Sequence, residues 1–167
     1  MNTKYRALPV NLPGINIRRA RPDDVHKLAE LYDLVWSREV HLLGEKLAAE
    51  RRADIDTIRN WLEQDAYFVV ELKECIAAAI GCEERHGTLH LVHLVTHPDC
   101  RRSGYGEALM ERAEQHAVEI GAVKLWFDTA PGLNAAQQLY EKLGYRMCGR
   151  LNRHYWGTDV ILYEKLL

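Results

Sequence analysis

The sequence predicts a mixed α/β domain in which an antiparallel meander precedes a parallel β-α-β unit. Two observations carry this. Three β-rich runs, at 67–70, 76–82 and 89–96, follow one another across brief turns. A polar loop with two glycines then leads into a helical pattern over 107–120 and on to another apolar run at 123–127, the order of a crossover connection between parallel strands.

Each element has a local reason. Ile15 to Arg19 alternates apolar and polar, as a strand with one buried face does. Pro22-Asp23-Asp24 opens a helix, with proline in the first turn and acids at the positive end of the dipole. Val25, Leu28, Leu31, Leu34 and Val35 form its apolar stripe. A second helical pattern runs from Ala53 to Gln64 through Ile55, Ile58 and Leu62. His86-Gly87-Thr88 is read as the turn between the second and third meander strands, and Pro98 ends the third. The helix over 107–120 buries Ala108, Leu109, Ala113, Ala117 and Ile120 and stops at Gly121. Asn134 to Leu143 is a helix ended by Gly144, followed by strands at 145–149 and 160–163. No repeat or linker divides the chain, so residues 15–167 are expected to form one domain behind an N-terminal arm at 1–14, extended and partly mobile.

Composition narrows the function classes. The chain has 167 residues, enough for one self-supporting core. Its 22 basic and 24 acidic side chains leave a net charge of −2, without the basic excess of a general nucleic-acid binder. No run approaches the ~20 apolar residues of a membrane span, and the N-terminus has no signal-peptide pattern. Cys75, Cys82, Cys100 and Cys148 fit no zinc spacing and are read as reduced thiols, which points to the cytoplasm. His86, His90, His93 and His97 cluster in sequence, but strand alternation is expected to put His90 on the face opposite His93 and His97, so no metal is expected.

The segment most informative about chemistry is Leu94-Val95-Thr96-His97-Pro98-Asp99-Cys100-Arg101-Arg102-Ser103-Gly104-Tyr105-Gly106. It reads as strand, tight loop and helix start. Free N–H groups of a first helical turn, aligned with the dipole, bind anions and phosphates in particular. Glycines let a ligand approach the backbone, and Arg101 and Arg102 add charged donors. A plain strand-to-helix turn accounts for the same letters. A Walker loop is excluded, because no Gly-Lys occurs, and a dinucleotide fingerprint fails at Leu109.

The loop resembles the R/Q-x-x-G-x-G/A signature of the GNAT superfamily of N-acetyltransferases at Arg101, Gly104 and Gly106. Leu94 to Pro98 is similar to the family's L-x-V-x-P element, with Thr96 in place of valine. Asn134 to Tyr145 resembles N-x-x-A-x-x-L-Y-x-K-x-G-F, with Ala136 one place off the usual alanine and Tyr145 for phenylalanine. The resemblance implies acetyl-coenzyme A as cosubstrate, held where the parallel strands 89–96 and 123–127 splay apart. It implies that the backbone of Leu94, Val95 and Thr96 pairs with the pantetheine arm and that the amides of Arg102, Ser103, Gly104, Tyr105 and Gly106 cradle the pyrophosphate. Asn134 either contacts the pantetheine or caps its helix.

By the same resemblance, amine attack on the thioester would be direct. Tyr140 is the expected general acid for the departing thiolate, against a purely packing role. A backbone N–H near Val95 would polarise the thioester carbonyl. The general base is left among His90, Glu83 and Glu84. The acceptor side falls to Trp36–Glu50 and Asn152–Asp159, where Trp36, Tyr155 and Trp156 could wall a cation and Glu39, Glu45 or Asp159 could pair with an amine. The expected acceptor is a small amine, an amino acid or a protein amino group. An acyltransferase using another acyl-CoA or an oxygen acceptor, and a CoA-binding sensor without turnover, are the alternatives. Members of the family are often dimers, so a homodimer is also an expectation.

Overall fold

In the computed structural model, residues 15–73 and 75–167 are described; the expected arm at 1–14 lies outside them. The elements in order are β1 (Asn16–Arg19), α1 (Val25–Arg38), α2 (Val40–Leu43), α3 (Glu45–Arg51), α4 (Ile55–Gln64), β2 (Ala66–Leu72), β3 (Cys75–Arg85), β4 (Thr88–Thr96), α5 (Tyr105–Glu119), β5 (Lys124–Thr129), α6 (Asn134–Lys142), β6 (Arg146–Tyr155) and β7 (Thr158–Leu166). The strands form one seven-stranded sheet in the order β1-β2-β3-β4-β5-β7-β6. All neighbours are antiparallel except β4 and β5. The mixed α/β class and the meander followed by a parallel crossover are both present.

The sheet is covered on both faces. Helices α1 to α4 pack on one face through Leu28, Leu31, Tyr32, Val35, Leu43, Leu47 and Ile58 against Val69, Ile76, Ala79 and Val95. Helices α5 and α6 cover the other through Leu109, Met110, Ala113, Ala117 and Tyr140, which meet Phe68, Ile80, Leu89, Leu91, Leu125 and Phe127. Burial on both sides explains why β3 reads as an unbroken apolar run, Ile76-Ala77-Ala78-Ala79-Ile80. Its alanines are fully or nearly fully buried, so both helical layers sit close to the strand.

Three departures from the sequence reading have local causes. Two short helices, α2 and α3, occupy 40–51, where four- and seven-residue lengths are too short for periodicity to show. Strands β6 and β7 extend to 10 and 9 residues, because β6 is a largely exposed edge strand whose arginines carry no apolar signal. Residues 22–24 form a 3-10 turn ahead of α1, and Asp24 is buried rather than solvated. Its carboxylate accepts from Arg18 at 2.7 and 2.9 Å and from the Arg21 N–H at 2.7 Å. Arg18 also bonds Glu71 at 2.8 Å, which ties β1, the turn and β2 together.

The feature that positions the site is a bulge. The β3–β4 register runs Cys82↔Leu91 and Gly81↔Val92 but then Ala79↔Val95, so β4 has one residue too many. His93 takes it up with φ +55. Gly81 faces this irregularity in contact with Tyr67 and Val92. A Cβ there would lie 2.6 Å from the Tyr67 ring and 2.7 Å from a Val92 methyl. Gly81→Ala is therefore expected to lower stability by about 1–3 kcal/mol through overpacking, measured as a reduced urea midpoint at unchanged m-value.

Candidate active site

Strands β4 and β5 are registered only at Leu89↔Leu125 and His90↔Trp126, although β4 continues to Thr96 and β5 to Thr129. Beyond His90 they diverge. Into the gap opens a cavity of about 1280 Å³ lined by both strands, the loop at 100–107, α6, and residues of α1 to α4. Leu94, Val95 and Thr96 line it, so the backbone edge of β4 freed by the splay faces the cavity.

The loop forms one end. Arg102 and Gly104 take left-handed conformations, φ +65 and +80, which curl the chain ahead of α5. Gly104 is the N-cap and no side chain satisfies the first-turn amides. The first intrahelical bond is from Ala108 N–H to Gly104 O at 3.0 Å, so earlier N–H groups point out of the helix end. Arg101, Arg102, Gly104, Tyr105 and Gly106 line the cavity, and Ser103 lies between them in the chain. Cys100 lines it as well. The Arg101 guanidinium donates to Glu39 at 2.8 Å, bridging the loop to the end of α1. At Gly106 a Cβ would make ordinary contact with the end of the Leu139 side chain, at 3.4 Å.

The other end holds the titratable groups. Tyr140 projects from α6 against Phe127, with ring centroids 4.4 Å apart. Burial raises its pKa to about 12, partly opposed by the Arg51 charge, so the phenol is protonated near neutral pH. His90 stacks on Trp126 at 3.9 Å. Its Nδ1 lies 3.1 Å from Glu83 Oε2, and its Nε2 lies 3.9 Å from Asp128 Oδ1. Burial works against the imidazolium, but the Asp128 and Glu83 carboxylates outweigh it and raise the His90 pKa. Burial likewise opposes ionisation of Asp128, and His90 and Arg51 reverse the balance, so its pKa is lowered. Glu83 is lowered chiefly by its hydrogen bond to His90. The Tyr155 hydroxyl donates to Asp128 Oδ1 at 3.4 Å. Among the described residues, His90 Nε2, Asp128 Oδ2 and Trp36 Nε1 are buried without partners, and all three residues line the cavity.

Several expectations need correction. His93 is not on the face opposite His90. The bulge breaks the alternation, and His93 stacks on Trp61 at 3.9 Å and bonds Tyr67 through Nδ1 at 2.7 Å, on the same side as His90. Burial pushes its pKa down to about 4. Glu84 does not join the site: it registers with Leu89, on the face opposite the Glu83–His90 pair, and is exposed. Asn134 does not cap α6. Leu133 holds that position without a side-chain bond, and Asn134 is the first helical residue, lining the cavity. Of the aromatic wall, Trp36 and Tyr155 line the cavity. Trp156 is exposed at the hairpin tip, where it donates to Glu50 at 2.8 Å under Lys46. Glu39 is held by Arg101, Asp159 by Arg150 at 2.6 Å, and Glu45 is exposed.

Two residues of the cluster were missed. Asp128 lies one residue past the strand read as 123–127, and extending the Trp126 alternation would have found it. Arg51 belongs to α3, which left no periodic trace.

The model of the Acetyltransferase (GNAT) family matches residues 26–145, and the chain belongs to that family. Human N-acetyltransferase 8B is 26% identical over 136 residues, covering 77% of this chain and 57% of that protein. The chain spans about half the length of the curated relatives it matches. Ribosomal-protein-alanine N-acetyltransferase from Brucella melitensis superposes with TM-score 0.78 at 20% identity, covering 91% of this chain and 99% of that one. PaiA N-acetyltransferase from Thermoplasma acidophilum, solved in complex with coenzyme A, gives TM-score 0.77 at 14% identity, covering 92% and 99%.

The two histidines make a test of the electrostatics. NMR titration should find His90 above the ordinary value of ~6.5 and His93 well below it. A raised folded pKa contributes stability that is present in full below ~6.5 and is lost as pH rises through the folded value. The stability gap between wild type and His90→Gln should therefore be widest below pH ~6.5 and narrow as the pH rises above it.

Proposed function

We propose that this protein transfers the acetyl group of acetyl-coenzyme A directly to a primary amine. The observation that carries the reading is convergence. One cavity joins an open amide cradle at a helix N-terminus, an unpaired β4 edge, a protonated buried tyrosine and a carboxylate-flanked histidine.

Coenzyme A fits the loop end. The amides of Arg102 to Gly106 would hold its pyrophosphate, helped by the α5 dipole. The Leu94–Thr96 edge would hold the pantetheine arm as an added strand does, by main-chain hydrogen bonds. Asn134 lies where it can contact the same arm. Bound there, acetyl-coenzyme A supplies an activated acyl group and a thiolate leaving group.

The chain's own residues handle the protons. With Nδ1–H donated to Glu83, neutral His90 keeps the Nε2 lone pair free on the side of Asp128. It takes a proton from the acceptor ammonium, and the Asp128 and Glu83 carboxylates that raise its pKa strengthen it as a base. Asp128, ionised, draws the ammonium toward His90 and stabilises the imidazolium that forms. Tyr140 donates its phenolic proton to the departing sulfur, and a β4 amide near Val95 polarises the acyl carbonyl.

Two measurements test this. Acetyl-coenzyme A should raise the melting temperature of the wild-type protein. Gly104→Val should lose that shift, because its αL backbone disfavours a β-branched residue and the Cβ blocks the cradle. Tyr140→Phe should lower kcat by about 100-fold or more with little change in acetyl-coenzyme A KM. An unchanged kcat removes Tyr140 from the acid role, and no thermal shift with acetyl-coenzyme A rejects the whole reading.

A further inference from the structure

The acceptor side of the cavity contains an arginine whose hydrogen-bonding capacity is unused. Arg51 ends α3, and its side chain is only 20% exposed. Its guanidinium lies 5.1 Å from the centre of the Trp36 ring. Its nearest acid is Asp128, with NH2 to Oδ2 at 3.7 Å, beyond hydrogen-bond distance. Among the described residues its guanidinium makes this ion-pair contact and no hydrogen bond. A guanidinium carries five N–H donors in a planar fork suited to a carboxylate.

Arg51 is not alone. The indole N–H of Trp36 is buried and unpartnered, in a side chain 4% exposed. Asp128 Oδ2, facing Arg51, is buried and unpartnered as well. The cavity wall thus offers two kinds of donor, one charged, beside one charged acceptor. Lys46 and Glu50, the neighbouring charges on α3, are engaged with Trp156.

We propose that the acceptor is an α-amino acid with a free carboxylate. Its carboxylate seats against Arg51, with the Trp36 N–H as an additional donor, and its ammonium against Asp128 Oδ2. In an α-amino acid the two charged groups sit on one carbon, and Arg51 and Asp128 approach each other on a similar scale, 3.7 Å. The ligand lies across the ion pair, its carboxylate beside the guanidinium and its ammonium beside Oδ2, and supplies the hydrogen bonds that the 3.7 Å separation leaves unmade. The ammonium then lies next to His90 Nε2, which is 3.9 Å from the other Asp128 oxygen and also unpartnered. Leu47 and Trp61 line the same cavity and favour an apolar or aromatic side chain.

This specificity rests on the acetyltransferase reading, and the test separates the two. Thiol release from acetyl-coenzyme A is followed with leucine, methionine and phenylalanine, with their primary amides, and with the corresponding amines lacking the carboxyl carbon. The expected result is a kcat/KM at least tenfold higher for the acids than for either neutral series. Arg51→Gln should bring that ratio close to one by raising the KM of the acids, and Arg51→Lys should restore part of it. Amides or plain amines used as well as the acids, or an Arg51→Gln variant that keeps the acid preference, overturns the proposal and leaves the acetyltransferase reading standing. An acetyl-coenzyme A thermal shift with turnover confined to peptide amino groups also overturns it. No thermal shift and no thiol release with any amine rejects both. The comparison of acids with amides on wild-type protein decides the matter even if the Arg51 variants fail to fold.

Discussion

A central parallel pair that stays together for only two registered residues is the constraint on which the rest of this structure depends. Inside a sheet, backbone donors and acceptors normally pair, and buried unpaired ones are costly. Here β4 and β5 part after His90 and Trp126, and the polar edges they release face a cavity rather than packed side chains. The bulge at His93 accompanies the parting. It adds a residue on β4, turns the strand, and brings His90 and His93 to one side while Leu89 and Leu91 remain in the opposite core. Gly81 makes room for the bulge, and the stacked Trp61, His93 and Tyr67 rings brace it. A ligand that behaves as an added strand is what such an edge lacks.

The same opening creates the electrostatic problem that the site solves. Glu83, His90, Asp128 and Arg51 are all partly or largely buried, and burial of charge is unfavourable unless the charges compensate. Two carboxylates flank one imidazole, and one guanidinium stands beyond them. Each shift has a sign that follows from this order. The carboxylates hold His90 up and His90 holds them down, while Arg51 lowers both Asp128 and Tyr140. Compensation is incomplete in hydrogen-bonding terms, because His90 Nε2, Asp128 Oδ2 and Trp36 Nε1 lack partners. Functional sites concentrate such shifted and unsatisfied groups, since a substrate supplies the missing bonds.

Much of the fold was legible in the sequence because its signals are local. Apolar periodicity marked α1, α4 and α5, α6 showed by its glycine stop, and Gly121 and Gly144 ended their helices with φ +73 and +85. The meander strands were read from their β-branched and alanine runs. The glycine-bearing loop before α5 was legible for the same reason, since glycine placement ahead of a helix is a short-range requirement. Helices α2 and α3 are too short to carry a period, and β6 is a polar edge strand. The Glu83–His90 pair was half legible, as candidates for one role. Asp128 and Arg51 carried no such signal, because Asp128 meets His90 from 38 residues along the chain and Arg51 meets Asp128 from 77.

The sequence by itself determined the element types and their order outside α2 and α3, the glycine-bearing loop before α5 and the tyrosine on α6. These depend on spacings of a few residues, and backbone geometry turns such spacings into structure directly. Only the tertiary structure decided which face each strand residue takes after the bulge, so that His93 joined the site side and Glu84 left it. It alone decided that Arg101 would pair with Glu39, that Trp156 would turn outward to Glu50, and that Arg51 would stand unbonded beside Asp128. Those outcomes depend on register and on long-range packing. One inserted residue in β4 reverses every alternation downstream, and no local pattern in the sequence reports it.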